Sequence, residues 1–374
     1  MGPPIGWLRH NFLLPSETFI YSSMSSLRDA GLEIKVLTIN RHNPQRFPWP
    51  DVTALADNPL EAATYWTTGW SPRQNNWARG VRLIHAHMGY SGAHALGAAR
   101  RHNLPLVVSF YGQDVTIARS RERLRVDYWP YMLQRRRLFR RGDRFVVLSR
   151  HMRAALIDQG CPETKLRVVR LGVDLSRFDP ADHVHSPGPL RVLMVGREVD
   201  KKGFDDGLRA CARARDAGTD LTVTILGTGG PLRPDLERLA RELNLEVTWP
   251  DPRSDVAAAM ALSDVLLVPS RTAADGDQEG TPTVICEGSA AGLPIVSTRH
   301  AGIPEQVDPN ITGLLVPERD VAGLAAALTE LAADPARRRA LGLAGRAKMQ
   351  AEYSLTAHRD ALLAVYAELL PDLT

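Results

Sequence analysis

The stretch LRVLMVGREVDKKG, residues 190–203, decides the fold. Its first seven residues form a near-continuous apolar run of strand length. Such a run fits a strand buried on both faces, as in a parallel sheet covered by helices. The run ends at Gly196, then come Arg197, Lys201 and Lys202, and a helical pattern opens near Phe204. The same unit recurs in both directions. Downstream, strands are predicted over residues 221–226, 245–249, 264–269, 294–297 and 313–316; upstream, over 32–39, 81–85, 105–110, 144–148 and 166–171. Three helices close the chain, over 321–333, 335–352 and 355–370. Strand–helix–strand repetition of this kind predicts an α/β fold of doubly wound parallel sheets.

The polar stretch DPADHVHSPGP, residues 179–189, lacks periodicity and divides the strands into two sets of similar size. It reads as a linker between a domain over 1–178 and a domain over 190–354, with a ligand cleft between them. The alternative is one large sheet with a long surface loop. Single cores seldom grow past roughly 250–300 residues, which favours two domains.

Hydrophobic residues make up 44% of the 374 and charged residues 24%. That composition excludes a disordered chain, a collagen and a small disulfide scaffold. No apolar run approaches the roughly 18 residues of a membrane span. Residues 1–15 lack the basic and apolar regions of a signal peptide. Cys161, Cys211 and Cys286 lie far apart, fit no zinc spacing and suit a reducing compartment, so a cytoplasmic location is expected. The net charge is +4, unevenly spread: Arg119 to Arg150 holds eleven arginines and no lysine against three acids. A patch of this sign suggests an anionic partner, lipid headgroups or nucleic acid.

Five segments fall at ends of predicted strands, where α/β sheets bind ligands. In VGREVDKKG (195–203), Arg197 and Lys202 beside a helix N-terminus would form a diphosphate site without a metal. The chain has only five lysines and two stand together here, so an ammonium in place of a guanidinium is expected to matter. The plainer reading is a solvated turn. LGTGGPL (226–232) offers Gly227 and Gly229 but has Leu232 where a dinucleotide fingerprint needs its last glycine; it is a structural turn or an amide cradle for a phosphate or sugar. In PSRTAADGDQEGTPTVICEGSAAG (269–292), a loop crosses to Glu279 and Pro282 can open a helix at its first position. Gly280, Thr281, Pro282 and Thr283 then surround free helix amides, and Glu279 and Glu287 would touch different parts of one ligand. Asp275-Gly276-Asp277 has the form of a DxD metal motif, but a diphosphate with two cations needs no metal, and none is expected. GIPE (302–305) and TGLLVP (312–317) form the fourth segment. In the N-terminal half, SFYGQDV (109–115) would turn Tyr111 and Asp114 to the cleft. HAHMG (85–89) makes His87 a candidate substrate contact, with a satisfied structural histidine as the alternative.

With these residues in view, the chain resembles the family 4 retaining glycosyltransferases of GT-B architecture, two Rossmann-like domains with a central cleft. The likeness is strongest over residues 190–317, where GR…KKG, LGTGG, the Glu279/Glu287 pair, GIPE and TGLLVP follow the family order. PSETFI (15–20), FYGQD and TAADGDQEGTP look like the subgroup that builds exopolysaccharides of the colanic acid type. The resemblance implies that Arg197 and Lys202 hold the donor diphosphate, that Glu287 binds the ribose, and that Glu279 contacts the donor sugar. Gly196, Gly229 and the 280–283 amides would lie around the donor, and Trp249 in the region that meets the base. The N-terminal domain, through Ser16, Glu17, His87, Tyr111 and Asp114, would bind the acceptor, and residues 355–374 would cross back onto it. Three departures stand out. Tyr111 replaces a histidine common in relatives, and a phenol is a poor base near neutral pH. LEVTWPDP (245–252) replaces the usual strand end near the base. The opening MGPPIGWLRHNF lacks a clear apolar first strand, so that strand is expected to be degenerate or the start misplaced.

The implied reaction is retaining transfer of a hexose-type sugar from a nucleotide diphosphate sugar, UDP- or GDP-linked, to a glycan or lipid-linked acceptor. No cofactor is expected beyond that co-substrate. Preorganised cations would stabilise the departing diphosphate, and no protein nucleophile is assigned. The competing readings are a nucleotide-sugar epimerase or hydrolase on the same scaffold and a non-catalytic sugar-nucleotide binder. Residues 129–141 (WPYMLQRRRLFRR) mix aromatic and basic residues at helical spacing, as interfacial helices do. Peripheral binding to an anionic inner membrane face is expected through Arg119–Arg150, with a solvated basic face as the alternative. No nucleic-acid module is present.

Overall fold

The computed structural model describes residues 4–14, 17–118, 120, 128–178, 180, 188–227, 229–251 and 255–373. The chain forms two compact units, residues 1–172 with 355–374, and residues 173–354. Most of the 179–189 stretch lies outside the described residues, as do Ser16, Arg119 and residues 121–127.

The first unit holds β1 (Ile5–Leu8), β2 (Asn11–Phe12), β3 (Ile34–Thr38), β4 (Asn40–Arg41), β5 (Val52–Ala54), β6 (Leu83–His87), β7 (Leu106–Ser109), β8 (Arg144–Val147) and β9 (Leu166–Val168). Seven of them form one parallel sheet in the order β5-β3-β1-β6-β7-β8-β9, while β2 and β4 pair separately. Its helices are α1 (Thr18–Asp29), α2 (Pro59–Thr68), α3 (Pro72–Ala78), α4 (Gly89–Arg101), α5 (Gln113–Thr116), α6 (Trp129–Arg141) and α7 (Arg150–Ile157), joined by α15 (Leu355–Ala367). The first strand corrects the sequence reading. β1 is regular, central and buried along its length, with Ile5 paired to both Ile34 and Leu83. Gly6 and the adjoining prolines had diluted its apolar signal.

The second unit holds β10 (Leu190–Gly196), β11 (Leu221–Gly227), β12 (Val247–Thr248), β13 (Val265–Val268), β14 (Ile295–Thr298) and β15 (Gly313–Val316), all parallel, in the order β12-β11-β10-β13-β14-β15. Around them lie α8 (Phe204–Asp216), α9 (Arg233–Glu242), α10 (Val256–Ala261), α11 (Thr283–Ala290), α12 (Ile303–Gln306), α13 (Val321–Ala333) and α14 (Pro335–Glu352). Side-chain caps explain several starts: Asp320 accepts from Gly323 N and Asp334 from Arg337 N. Val173 to Phe178, which the sequence assigns to the first half, pack with this unit. Val173 N donates to Tyr353 O at 2.8 Å, and Arg346 Nη1 donates to Phe178 O at 2.8 Å.

Candidate active site

In the second unit, the C-terminal ends of neighbouring strands β10, β13 and β14 bring Lys202, Glu279 and His300 together. Lys202 ends a 3-10 turn, Asp200–Lys202, and its stem lies over Gly196, where a Cβ would come 3.2 Å from Lys202 Cε. Gly203 follows with φ +62°, and a Cβ there would stand 2.0 Å from the Pro269 carbonyl oxygen. Only glycine permits both the left-handed turn and that approach. Lys202 Nζ meets Glu279 Oε1 at 2.7 Å. Lys201 goes elsewhere, to Asp277 Oδ2 at 2.9 Å and Gln278 O at 3.2 Å.

Glu279 is buried, which by itself pushes its carboxyl up, but the Lys202 and Lys201 charges outweigh burial and hold it below its ordinary value. Its backbone N–H donates to His300 Nε2 at 3.1 Å, and His300 Nδ1 lies 2.6 Å from Glu318 Oε1. The first bond makes Nε2 the acceptor, which puts the ring proton on Nδ1, facing the Glu318 carboxylate. Glu318 also accepts from Thr272 N at 2.9 Å, so the chain Glu318–His300–Glu279–Lys202 fixes the loop. Arg197 is exposed and has no carboxylate partner among the described residues.

Glu287, on α11, is half-buried, and its carboxylate has no hydrogen bond among the described residues. Burial pushes its carboxyl up, against the charges of Arg177 and Lys202. Pro282 is the N-cap and not the first helical residue; Thr283 begins α11, with no side-chain cap on its amides. A proline there still fits, because it forgoes no helical hydrogen bond. Gly280 is buried, and the buried Thr281 Oγ1 has no hydrogen-bond partner. Gln306 Nε2 holds the turn through Pro282 O at 3.0 Å.

In the Asp275-Gly276-Asp277 loop both carboxylates make contacts within the protein. Asp277 pairs with Lys201, and Asp275 Oδ1 accepts from Asp277 N at 2.9 Å. The glycine turn after β11 is wrapped around Glu198, which is fully buried. Gly230 N donates to Glu198 Oε2 at 2.9 Å, and a Cβ at Gly227 would fall 1.7 Å from Glu198 Oε1. Gly229 lies in the left-handed region, φ +82°. Trp249 carries the Arg233 guanidinium over one face, 4.0 Å from the ring centroid, and Arg233 in turn pairs with Glu198 at 3.3 Å.

In the first unit, four of the five expected acceptor residues are described, and Asp114 and Glu17 are turned to internal work. His87, at the end of β6, is buried, packs at a tilt against Trp7 with ring centroids 4.0 Å apart and shares a 2.6 Å hydrogen bond with Tyr111 Oη through Nδ1. Burial first, then His85 and Arg9, hold it neutral. The cavity it lines holds about 20 Å³, and the buried His87 Nε2 has no hydrogen-bond partner among the described residues. Asp114 is also buried: Oδ1 accepts from Tyr111 N and Gly112 N at 2.9 and 3.1 Å, and Oδ2 from Gly89 N at 2.8 Å. It clamps the loop to α4 and does not face a ligand, because three amides take its oxygens. Glu17 pairs with the buried Arg9, Nε to Oε2 at 3.2 Å, and accepts from Leu14 N at 3.0 Å. Tyr111 is half-buried, and burial raises its phenol, so it is no base near neutral pH. Arg9, Glu198 and His300 escaped the sequence reading, since their partners lie 8 to 35 residues away.

The fold and these strand ends set the terms for comparison with known proteins. Residues 189–334 match the family described as Glycosyl transferases group 1, and residues 16–177 match Glycosyltransferase Family 4. A protein of Escherichia coli K12 named as a colanic acid biosynthesis glycosyltransferase, WcaL, is 32% identical over 88% of this chain and 91% of its own length. The chain is a family 4 glycosyltransferase. The amylovoran biosynthesis glycosyltransferase AmsK of Erwinia amylovora is 35% identical to this glycosyltransferase over 72% of the chain and 65% of its own. Among solved structures, Anabaena HepE in complex with UDP-glucose superposes with a TM-score of 0.80 at 17% identity, over 98% of this chain and 100% of that one. The fold is GT-B.

Proposed function

We propose that this glycosyltransferase moves a hexose-type sugar from a UDP- or GDP-linked donor to a glycan or lipid-linked acceptor in exopolysaccharide biosynthesis, with retention and without a metal ion. The observation that carries the reading is the cation arrangement at the end of β10. Lys202 is ion-paired to Glu279 at 2.7 Å, and Arg197 stands exposed without a carboxylate partner among the described residues. A departing diphosphate would draw both cations, and preorganised charge of this kind stabilises a leaving group where water is excluded. Glu279, anchored through His300, would then be released toward a sugar hydroxyl, and Glu287 toward the ribose. The relatives' names in colanic acid and amylovoran biosynthesis support the pathway class, and the HepE complex supports a nucleotide-sugar donor. Family membership favours transfer over an epimerase or hydrolase.

The test is a thermal-shift panel of UDP, GDP, ADP and their sugars, with and without EDTA. Stabilisation by one nucleotide family, unchanged by EDTA and lost with transfer in Lys202→Ala, is expected. Full turnover in that variant would sink the assignment.

The acceptor reading extends to the membrane. On α6, Trp129, Leu133, Arg136, Arg137 and Arg140 are exposed at helical spacing, opposite the buried Tyr131, Leu138 and Phe139. Such a face suits the anionic inner leaflet from the cytoplasmic side. Liposome pelleting with no preference for anionic lipid removes this part.

A further inference from the structure

At the other end of the first unit's sheet, where β7 begins, lies a cavity of about 470 Å³. That volume falls in the range of small-ligand sites, roughly 300–1,000 Å³. Its wall includes Arg100 at the end of α4, Asn103 and Leu104 just after it, Arg141 at the end of α6, Asp143, and Leu369. From Leu106 to Tyr111 is five residues of extended chain, roughly 16 Å, so the cavity is separate from the residues described above.

Its wall is net positive, with two arginines against one carboxylate. Neither Arg100 nor Arg141 has a carboxylate partner among the described residues. The one acid on the wall, Asp143, has Oδ2 engaged by Leu106 N at 2.8 Å. The carbonyls that end α6 are taken as well: Lys165 Nζ binds Arg140 O and Gly142 O at 2.8 and 2.7 Å. Nearby Arg144 and Arg167 are both held by Glu368. Repulsion from Arg100 foremost, and from Arg140 and Arg137, depresses the Arg141 guanidinium below its ordinary value. These arginines complement the C-terminal dipoles of α4 and α6, and an anion between them relieves their mutual repulsion. Leu104 and Leu369 supply apolar wall beside the cations.

We propose that this cavity binds a phosphate group carried on an apolar stem, with the phosphate between Arg100 and Arg141 and the stem against Leu104 and Leu369. Bidentate guanidinium–phosphate pairing gives the recognition and apolar burial gives the added affinity. The phosphate can come from a membrane lipid or from a soluble phosphorylated amphiphile.

Calorimetric titration of the full chain with geranyl phosphate tests it, alongside inorganic phosphate. One molecule per chain is expected, bound about tenfold or more tightly than inorganic phosphate. Arg100→Gln/Arg141→Gln, at two exposed positions, should weaken binding about tenfold or more with circular dichroism unchanged. Lys202→Ala should leave it intact. No binding at millimolar geranyl phosphate, equal binding of inorganic phosphate, or loss in Lys202→Ala but not in the double variant each overturns the proposal. Co-sedimentation with phosphatidylglycerol vesicles that the double variant abolishes supports a lipid source. Geranyl phosphate binding without such co-sedimentation supports a soluble one.

Discussion

His300 touches Glu279 only through its backbone, yet it determines where that carboxylate can stand. His300→Ala leaves the Glu279 N–H buried without its acceptor, at a cost of about 1–3 kcal/mol. If that cost falls on the transition state, kcat drops about tenfold or more while nucleotide affinity holds. Steady-state kinetics with a nucleotide titration check it; a lowered melting point with unchanged kcat would make His300 merely structural. Glu287 makes the opposite case. Its carboxyl is raised above its ordinary value near 4.5, so the unfolded chain ionises first as pH rises. The folded state therefore loses stability above about pH 4.5 and regains it below. Glu287→Gln removes that penalty. At neutral pH the variant should melt higher, by about 2–4 °C for each 1 kcal/mol relieved, with donor affinity reduced. The gain should vanish near pH 4, and a gain independent of pH would contradict the burial argument. The placement of Arg197, Lys202 and Glu279 after strand ends, and of Glu287 on the helix that follows, was legible in the sequence because the strand–loop–helix pattern is local. His300, Glu198 and Arg9 were not, because each acts through a partner that only the fold brings near. Asp114, after β7, and Glu17, ahead of α1, were read as facing a ligand because sequence places a polar residue in an element but does not show what holds its side chain.

At the scale of elements, the parallel strands of the second unit other than the short, part-exposed β12 were readable almost to the residue, since burial on both faces leaves unbroken apolar runs. β1 was not, although it is as buried as any strand, since only four residues carry it and one is glycine. Helix α15 and the residues after it are tied down by ion pairs that pattern reading does not reveal. Glu368 accepts from Arg144 Nε at 2.6 Å and Arg167 Nε at 2.7 Å, and Asp372 pairs with Arg82 at 2.6 Å. Hydrogen bonds from Arg167, and then Arg144, hold the Glu368 carboxyl down to about 2. A depressed carboxyl stabilises the fold above its ordinary value near 4.5 and ceases to as pH falls through about 2. Because the pair is about one-third exposed, water screens it, and Glu368→Gln should cost only about 0.5–1 kcal/mol at pH 7. Urea unfolding of both proteins at pH 7, 4 and 2 should show the gap closing toward the acid end. A gap that persists at pH 2 would mean the variant fails for another reason.

At the scale of the whole molecule, the two units differ in how the chain builds them. The second is contiguous, and its core runs from Leu190 and Val192 to Leu328 and Leu341 without help from the tail. The first is closed by residues that return after the second is complete. Leu362, Val365, Tyr366 and Leu370 are buried in one core with Ile5, Trp7 and Val107, and Tyr366 Oη lies 2.7 Å from His85 Nδ1. Burying an apolar side chain contributes about 1.5–3 kcal/mol, so the four supply roughly 6–12 kcal/mol before the entropy of docking. A domain's whole net stability is about 5–15 kcal/mol. Residues 173–354 expressed alone should therefore unfold in one cooperative transition. Residues 1–172 alone should not, until a peptide of residues 355–374 is added in trans. Denaturant melts followed by circular dichroism, with and without the peptide, decide it. Cooperative unfolding of 1–172 by itself would mean that the returning helix caps a core already sufficient, and that its ion pairs, not its buried face, are what keep it in place.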